Sequence, residues 1–152
     1  MNAKEYLSRA RLMDMQVRSR QEQILILRSM AERVSAGFGR EAVSRSLNTT
    51  AMQDTVARIL EAEEELAGRI DELVRTRMEI AGVIDRVEDV RVRLILEKRY
   101  LCFRDWREIA AEMNYSLRYV QEKHREGLRA VQRILEETEN APRQSASSPA
   151  PI

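Results

Sequence analysis

A single cysteine, Cys102, stands among 152 residues, so no intramolecular disulfide can staple the chain. Flanked by Leu101 and Phe103, its thiol is expected to be a small buried hydrophobe between helices. No proline occurs before Pro142, which leaves the preceding residues free of the strongest helix breaker. Aromatics make up 5% of the residues and charged side chains 34%, a balance that favours a helical, coiled-coil-rich chain. No apolar run approaches the roughly 20 residues that span a bilayer, and no signal peptide is visible, so a cytoplasmic protein without a membrane role is expected. The lone histidine, His124, lacks the partners that metal binding or catalysis needs and reads as a packed or hydrogen-bonded helix residue. A glycine-rich phosphate loop and a Cys/His cluster are also missing, so no enzyme activity, metal or cofactor is expected. The acidic run Glu61-Ala62-Glu63-Glu64-Glu65 has no Glu-x-x-His companion and reads as a solvated helix face.

What the chain has in quantity is apolar residues spaced three and four apart. One run comprises Tyr6, Ala10, Met13, Val17, Ile24, Leu27, Ala31 and Val34, interrupted by Arg20. A longer one comprises Met52, Val56, Ile59, Leu66, Ile70, Leu73, Ile80, Ile84, Val87 and Leu94, and predicts a long helix from Met52 to Tyr100, either continuous or bent near Gly68 or Gly82. Residues 35 to 51, with Gly37, Gly39, several serines and Thr49-Thr50, read as the connection. Two heptad-patterned helices joined by a loop imply a hairpin, an oligomeric coiled coil, or a hairpin that also dimerises. Leu60, Val74, Ala81 and Ile95 widen the stripe, favouring three or more packed helices.

The second seam is charged at Glu63, Arg77 and Arg91, once every two heptads. Seam charges are tolerated where they pair across a partner helix and select a register, and Glu63 with Arg77 across an antiparallel dimer is the specific expectation. The alternative is that these side chains reach water along an exposed edge.

Residues 105 to 128, DWREIAAEMNYSLRYVQEKHREGL, carry the punctuation of a helix-turn-helix. Trp106, Ile109 and Met113 recur one turn apart, and Ala110 is small enough to let a second helix cross closely. Asn114 sits where the turn needs a residue tolerant of positive φ, and Ser116 can cap the next helix. Val120 and Leu128 would point inward, while Gly127 weakens the helix by about 1 kcal/mol relative to Ala and implies close packing. Arg118, Tyr119, Gln121, Glu122 and Arg125 remain outside, a set able to meet guanine, adenine and cytosine edges. A plain three-helix bundle with a charged solvent face is the bland alternative. Charge is unevenly placed: residues 91 to 133 hold 11 Lys or Arg against 6 Asp or Glu, whereas residues 52 to 90 hold 5 against 11. A basic module on an acidic stem is what phosphate binding rewards.

From Val90 through ILEKRYLCFRDWREIAAEMNYSLRYVQEKHREGLRAVQRIL, about a third of the chain resembles region 4 of bacterial sigma factors. The signals are the Leu-rich helix ending in Arg99-Tyr100, Trp-x-x-Ile-Ala, Ser116, and Gly127-Leu128. With its helical N-terminal part the chain is similar to short phage and prophage proteins with a sigma-like C-terminus, which implies a role in transcription alongside RNA polymerase. Nothing upstream resembles the sigma region that melts the downstream promoter element, so the resemblance implies an auxiliary regulator. His124 departs from the pattern, which keeps an aliphatic residue there.

The expectation is therefore an all-α protein: a helical hairpin or coiled coil over 1–88 that oligomerises, with a dimer favoured, a trihelical helix-turn-helix domain over 89–138 that binds duplex DNA, and a disordered tail over 139–152. Arg118, Tyr119, Gln121 and Glu122 would face bases; Arg104, Arg107, Lys123, Arg125 and Arg129 would meet phosphates or polymerase, with Ser116 at the head of the reading helix. Two rivals remain: a small terminase-like packaging subunit, in which the DNA-binding module usually comes first, and an adaptor that binds polymerase without reading DNA.

Overall fold

A computed structural model describes the backbone of residues 1–36 and 45–145 and the side chains of residues 1–34 and 50–141. Every regular element among the described residues is helical: α1 (Ala3–Ala36), α2 (Arg45–Asp85), α3 (Val90–Leu96), which runs on into a π-helical turn (Glu97–Leu101), α4 (Trp106–Met113) and α5 (Leu117–Ser145). No helix among them is long and apolar enough to cross a membrane. The expected connection over 35–51 is partly helical, since α2 begins at Arg45, and residues 37–44 lie outside the described residues. Residues 139–145 of the expected tail are helical, since α5 continues through Ser145, past Pro142; the rest of it, residues 146–152, lies outside the described residues.

The chain forms two compact units, and each draws on both long helices. The first comprises Met1–Arg11 with Arg75–Ile152, and the second Leu12–Val74. In the second, α1 and α2 lie side by side: Arg28 pairs with Glu63, and Arg20, Ile24 and Leu27 line a small cleft with Ala62, Leu66 and Arg69. Val17, Ile24, Ala31, Ile59 and Leu73 are its buried apolar residues, at the heptad positions read from the sequence. Of the four residues expected to widen the stripe, Leu60 and Val74 are 59% and 49% exposed, whereas Ala81 is half-buried and Ile95 is buried in the first unit.

The first unit is wider than the 89–138 segment outlined from the sequence. Ala3, Tyr6, Leu7 and Ala10 of α1 are buried in it, with the Ala3 amide donating to Gln132 Oε1 at 2.8 Å. Tyr6 donates to Glu79 Oε1 at 3.2 Å, and Arg9 pairs with the other oxygen of the same carboxylate at 3.2 Å.

The long helix expected from Met52 to Tyr100 is interrupted, and the break begins three residues beyond Gly82 while Gly68 lies inside α2. It stops at Asp85, and Asp89 restarts the chain as an N-cap whose carboxylate accepts from the Arg91 amide at 2.9 Å. Four orphan amides open every helix, and a short acidic side chain just before Val90 satisfies two of them locally. Packing then fixes the element: Val92, Ile95 and Leu96 are buried, and α3 and α4 both lie against α5. Ile95, Ile109, Ala110 and Val120 form a buried cluster ringed by Trp106, Met113 and Tyr115. Burying one such Ile or Val contributes about 1.5–3 kcal/mol, so this cluster outweighs the modest propensity of the eight-residue α4. Gly127 sits under α3, where an added Cβ would lie 3.0 Å from both Leu96 Cδ2 and Val92 Cγ1. Its missing side chain is what lets α3 and α5 approach.

Beyond α3 the backbone loosens by one residue, with the Cys102 amide donating to the Glu97 carbonyl at 3.0 Å and the Arg104 amide to Lys98 at 3.0 Å. Phe103 follows with φ 57°, a left-handed conformation rare for a bulky side chain. Arg77 holds this turn: its guanidinium donates to the Leu101 carbonyl and lies over the Phe103 ring, 4.8 Å from the centroid. Cys102 is exposed at the mouth of the turn, contrary to the buried position expected of it.

Candidate nucleic-acid interface

The turn between α4 and α5 forms as its residues demand. Asp105 caps α4 by accepting from the Glu108 amide at 2.8 Å, while Glu108 returns to accept from the Asp105 amide at 3.2 Å, a reciprocal capping box. Asn114 ends the helix at φ 60°, ψ 37°, and its neighbour Tyr115 donates to the Ala110 carbonyl at 3.0 Å. Ser116 Oγ accepts from the Tyr119 amide at 3.1 Å and so caps α5. The Asp-x-x-Glu signal was present in the sequence and is the capping feature its reading passed over.

On α5, Val120, His124, Gly127, Val131 and Ile134 are buried, so the opposite face looks outward. Arg118, Glu122, Arg125 and Arg129 follow one another at intervals of four, three and four on that face, and all are exposed. Arg118 and Glu122 form an ion pair at 3.4 Å, which in so exposed a place contributes little and leaves both free to rearrange. Gln121 flanks this line and is half-buried.

Other expected contacts are placed differently. Tyr119 turns to the opposite flank, its ring 4.6 Å from that of Tyr115, and Lys123 lies beside it at 5.5 Å while pairing with Glu126 at 3.3 Å. Arg104 is paired with Glu112 at 3.3 Å, and Lys98 reaches the same carboxylate at 2.6 Å, which holds Glu112 below the usual carboxylate range. Arg107 is exposed on α4 and has no ion pair among the described residues. The ten expected residues thus divide: Arg118, Gln121, Glu122, Arg125 and Arg129 share the α5 surface, Tyr119 and Lys123 form a separate edge, Arg104 and Arg107 lie by α4, and Ser116 works as a cap.

The seam charges also find partners other than those expected. Glu63 pairs with Arg28, Arg77 braces the turn at Leu101 and Phe103, and Arg91 is held above its ordinary range by a hydrogen bond to Tyr119. His124 is buried, with Nε2 2.6 Å from the Tyr100 hydroxyl and its ring 4.4 Å from that of Trp106. Burial, reinforced by Arg99, Lys4 and Arg125, pushes its pKa down to about 4. It is neutral at pH 7, as a packed core histidine should be.

A groove of about 610 Å³ in the first unit lies between the α2–α3 turn and α5. Arg86, Arg129 and Arg133 there face Glu88, Asp89, Glu126 and Glu137, so it presents no single sign of charge to a ligand. Comparison with models of protein families, with curated proteins and with solved structures finds no match for this chain.

Proposed function

We propose that this chain is a sequence-specific DNA-binding transcriptional regulator of phage or prophage type, in which α4, the Asn114 turn and α5 form a helix-turn-helix that enters the major groove. The observation that carries this reading is the line of Arg118, Glu122, Arg125 and Arg129 along the exposed face of a helix whose N-terminus is capped and whose other face is locked into a core. Arg supplies bidentate donors for guanine and Gln121 a donor and acceptor for adenine, while Arg125, Arg129 and Arg107 are suited to phosphates. Tyr119, turned toward Tyr115, and Lys123 beside it are assigned to the edge of the interface rather than its centre. The resemblance of residues 90 to 135 to sigma region 4 supports an action alongside RNA polymerase, with exposed Val90, Leu94 and Leu117 as the apolar surface available to a protein partner.

Association with a second copy through α1 and α2 belongs to the same proposal. Two helices bury one stripe each, yet Leu12, Met15, Leu25, Ile26, Met30 and Leu60 remain more than half exposed on the second unit. A helical pair with apolar residues on its outer faces is stabilised by further helices, and a self-complementary dimer would supply them.

Selection of random duplexes by the purified protein at near-physiological salt tests the reading. Enrichment of a motif, paired if two reading helices act together, is the expected result; recovery of unenriched sequence would overturn sequence-specific binding.

A further inference from the structure

Where the first turns of α1 meet the π-helical turn, Lys4, Ser8 and Arg11 share one helical face at intervals of four and three residues and line a cleft of about 110 Å³ with Arg99, Tyr100, Trp106 and His124. We propose that this cleft is an oxyanion-binding site that takes a phosphate group, with Lys4, Arg11 and Arg99 as its cationic ligands and Trp106 as its wall.

Three features point to an anion. Lys4 and Arg11 form no ion pair among the described residues, whereas Arg9, Arg86, Lys98 and Arg104 of this unit are paired with carboxylates. Arg99 is half-buried, donates to the Arg104 carbonyl at 3.0 Å and stacks over Trp106 at 4.5 Å, which fixes its plane while leaving further N–H groups unused. The carboxylate that acts on Arg99, that of Asp105, is committed to capping α4. Gathering like charges beside buried His124 and Tyr100 costs repulsion and desolvation; burial and Arg11 both press the Arg99 guanidinium below its ordinary range. An anion among them would relieve both. Ser8 adds a hydroxyl donor, and the volume, about that of three or four waters, suits one tetrahedral oxyanion.

The phosphate could be part of a nucleic-acid backbone held beside α4 and α5, or of a small phosphorylated ligand, and the experiment separates these sources. Trp106 is the sole tryptophan, so its fluorescence reports on the cleft. The full chain is titrated at constant ionic strength with inorganic phosphate, a nucleoside monophosphate and a short duplex, and compared with Lys4→Gln/Arg11→Gln. The variant leaves Arg99 over the ring, and its unchanged far-ultraviolet circular dichroism and melting temperature would show that it folds. The expected result is a saturable change with inorganic phosphate whose apparent Kd rises about tenfold or more in the variant, as loss of two charge-assisted contacts requires. The same variant-sensitive change with duplex assigns the site to a nucleic-acid backbone. Saturation by the nucleotide with no response to duplex assigns it to a small ligand. A response that never saturates with any probe, or one identical in the variant, would overturn the site. Inorganic phosphate as the first probe keeps this outcome separate from the fate of the α5 reading surface, which Arg118→Ala tests alone.

Discussion

The hydroxyl of Tyr100 lies 2.6 Å from Nε2 of His124, joining the π-helical turn to the buried face of α5 across 24 residues of sequence. Both groups are buried, and Trp106 closes the cluster edge-on to the imidazole. This polar pair gives the core a hydrogen bond with a defined geometry. The charges that press on the imidazole are basic: Arg99 from the turn, Lys4 from α1 and Arg125 from α5.

That setting predicts acid sensitivity. With a folded pKa of about 4 against an ordinary 6.5, the imidazole binds its proton more readily in the unfolded chain. The neutral histidine's contribution is complete above pH 6.5 and is lost as pH falls toward 4, by a total on the order of 3 kcal/mol. Urea melts of wild type and His124→Leu between pH 7 and 4 should show a slope in the first that is reduced in the second. Parallel pH profiles would refute the assignment.

Gly127 separates propensity from packing. Alanine there gains about 1 kcal/mol of helix propensity, but its methyl would meet Leu96 and Val92 at 3.0 Å, both of them buried. We expect Gly127→Ala to be net destabilising by about 1 kcal/mol and Gly127→Leu by about 3 kcal/mol or more. A rise in melting temperature for the alanine variant would mean that α3 yields more easily than its burial implies.

At Asn114 the constraint is the backbone. With φ 60°, Asn114→Gly should be near neutral, while Asn114→Val should lose about 1–2 kcal/mol, because a β-branched side chain clashes in the left-handed region. Thermal melts of the two variants distinguish this from a role of the amide side chain, which would make both equally harmful.

For DNA, Arg118→Ala is expected to cost about 1–3 kcal/mol and to relax preference at one position. Arg107→Ala should weaken all sequences alike and flatten the dependence of affinity on salt. Fluorescence anisotropy on selected and scrambled duplexes at two salt concentrations reads both effects. Equal losses on both duplexes for Arg118→Ala would remove it from the reading set.

What the sequence determined by itself is whatever depends on neighbours within about a turn. The heptad spacing that buries Val17, Ile24, Ile59 and Leu73, the left-handed Asn114 and the Ser116 cap are local consequences of side-chain size, periodicity and short hydrogen bonds. The core residues Ile109 and Val120 follow from the same periodicity. Only the tertiary structure decided matters that depend on residues far apart in the chain. Arg77 reads as a misplaced seam charge until Leu101 and Phe103 are brought to it, and Glu63 until Arg28 is. Tyr119 belongs by spacing to an outward helix face, but the ring of Tyr115 draws it aside. The exposure of Cys102 follows from a π-helical turn that no periodicity announces, and the meeting of Lys4 and Arg11 with Arg99 joins the start of α1 to that turn across most of a hundred residues. Local propensity and spacing are short-range, whereas which charges meet is settled by packing, and for this protein packing also decides where the candidate sites lie.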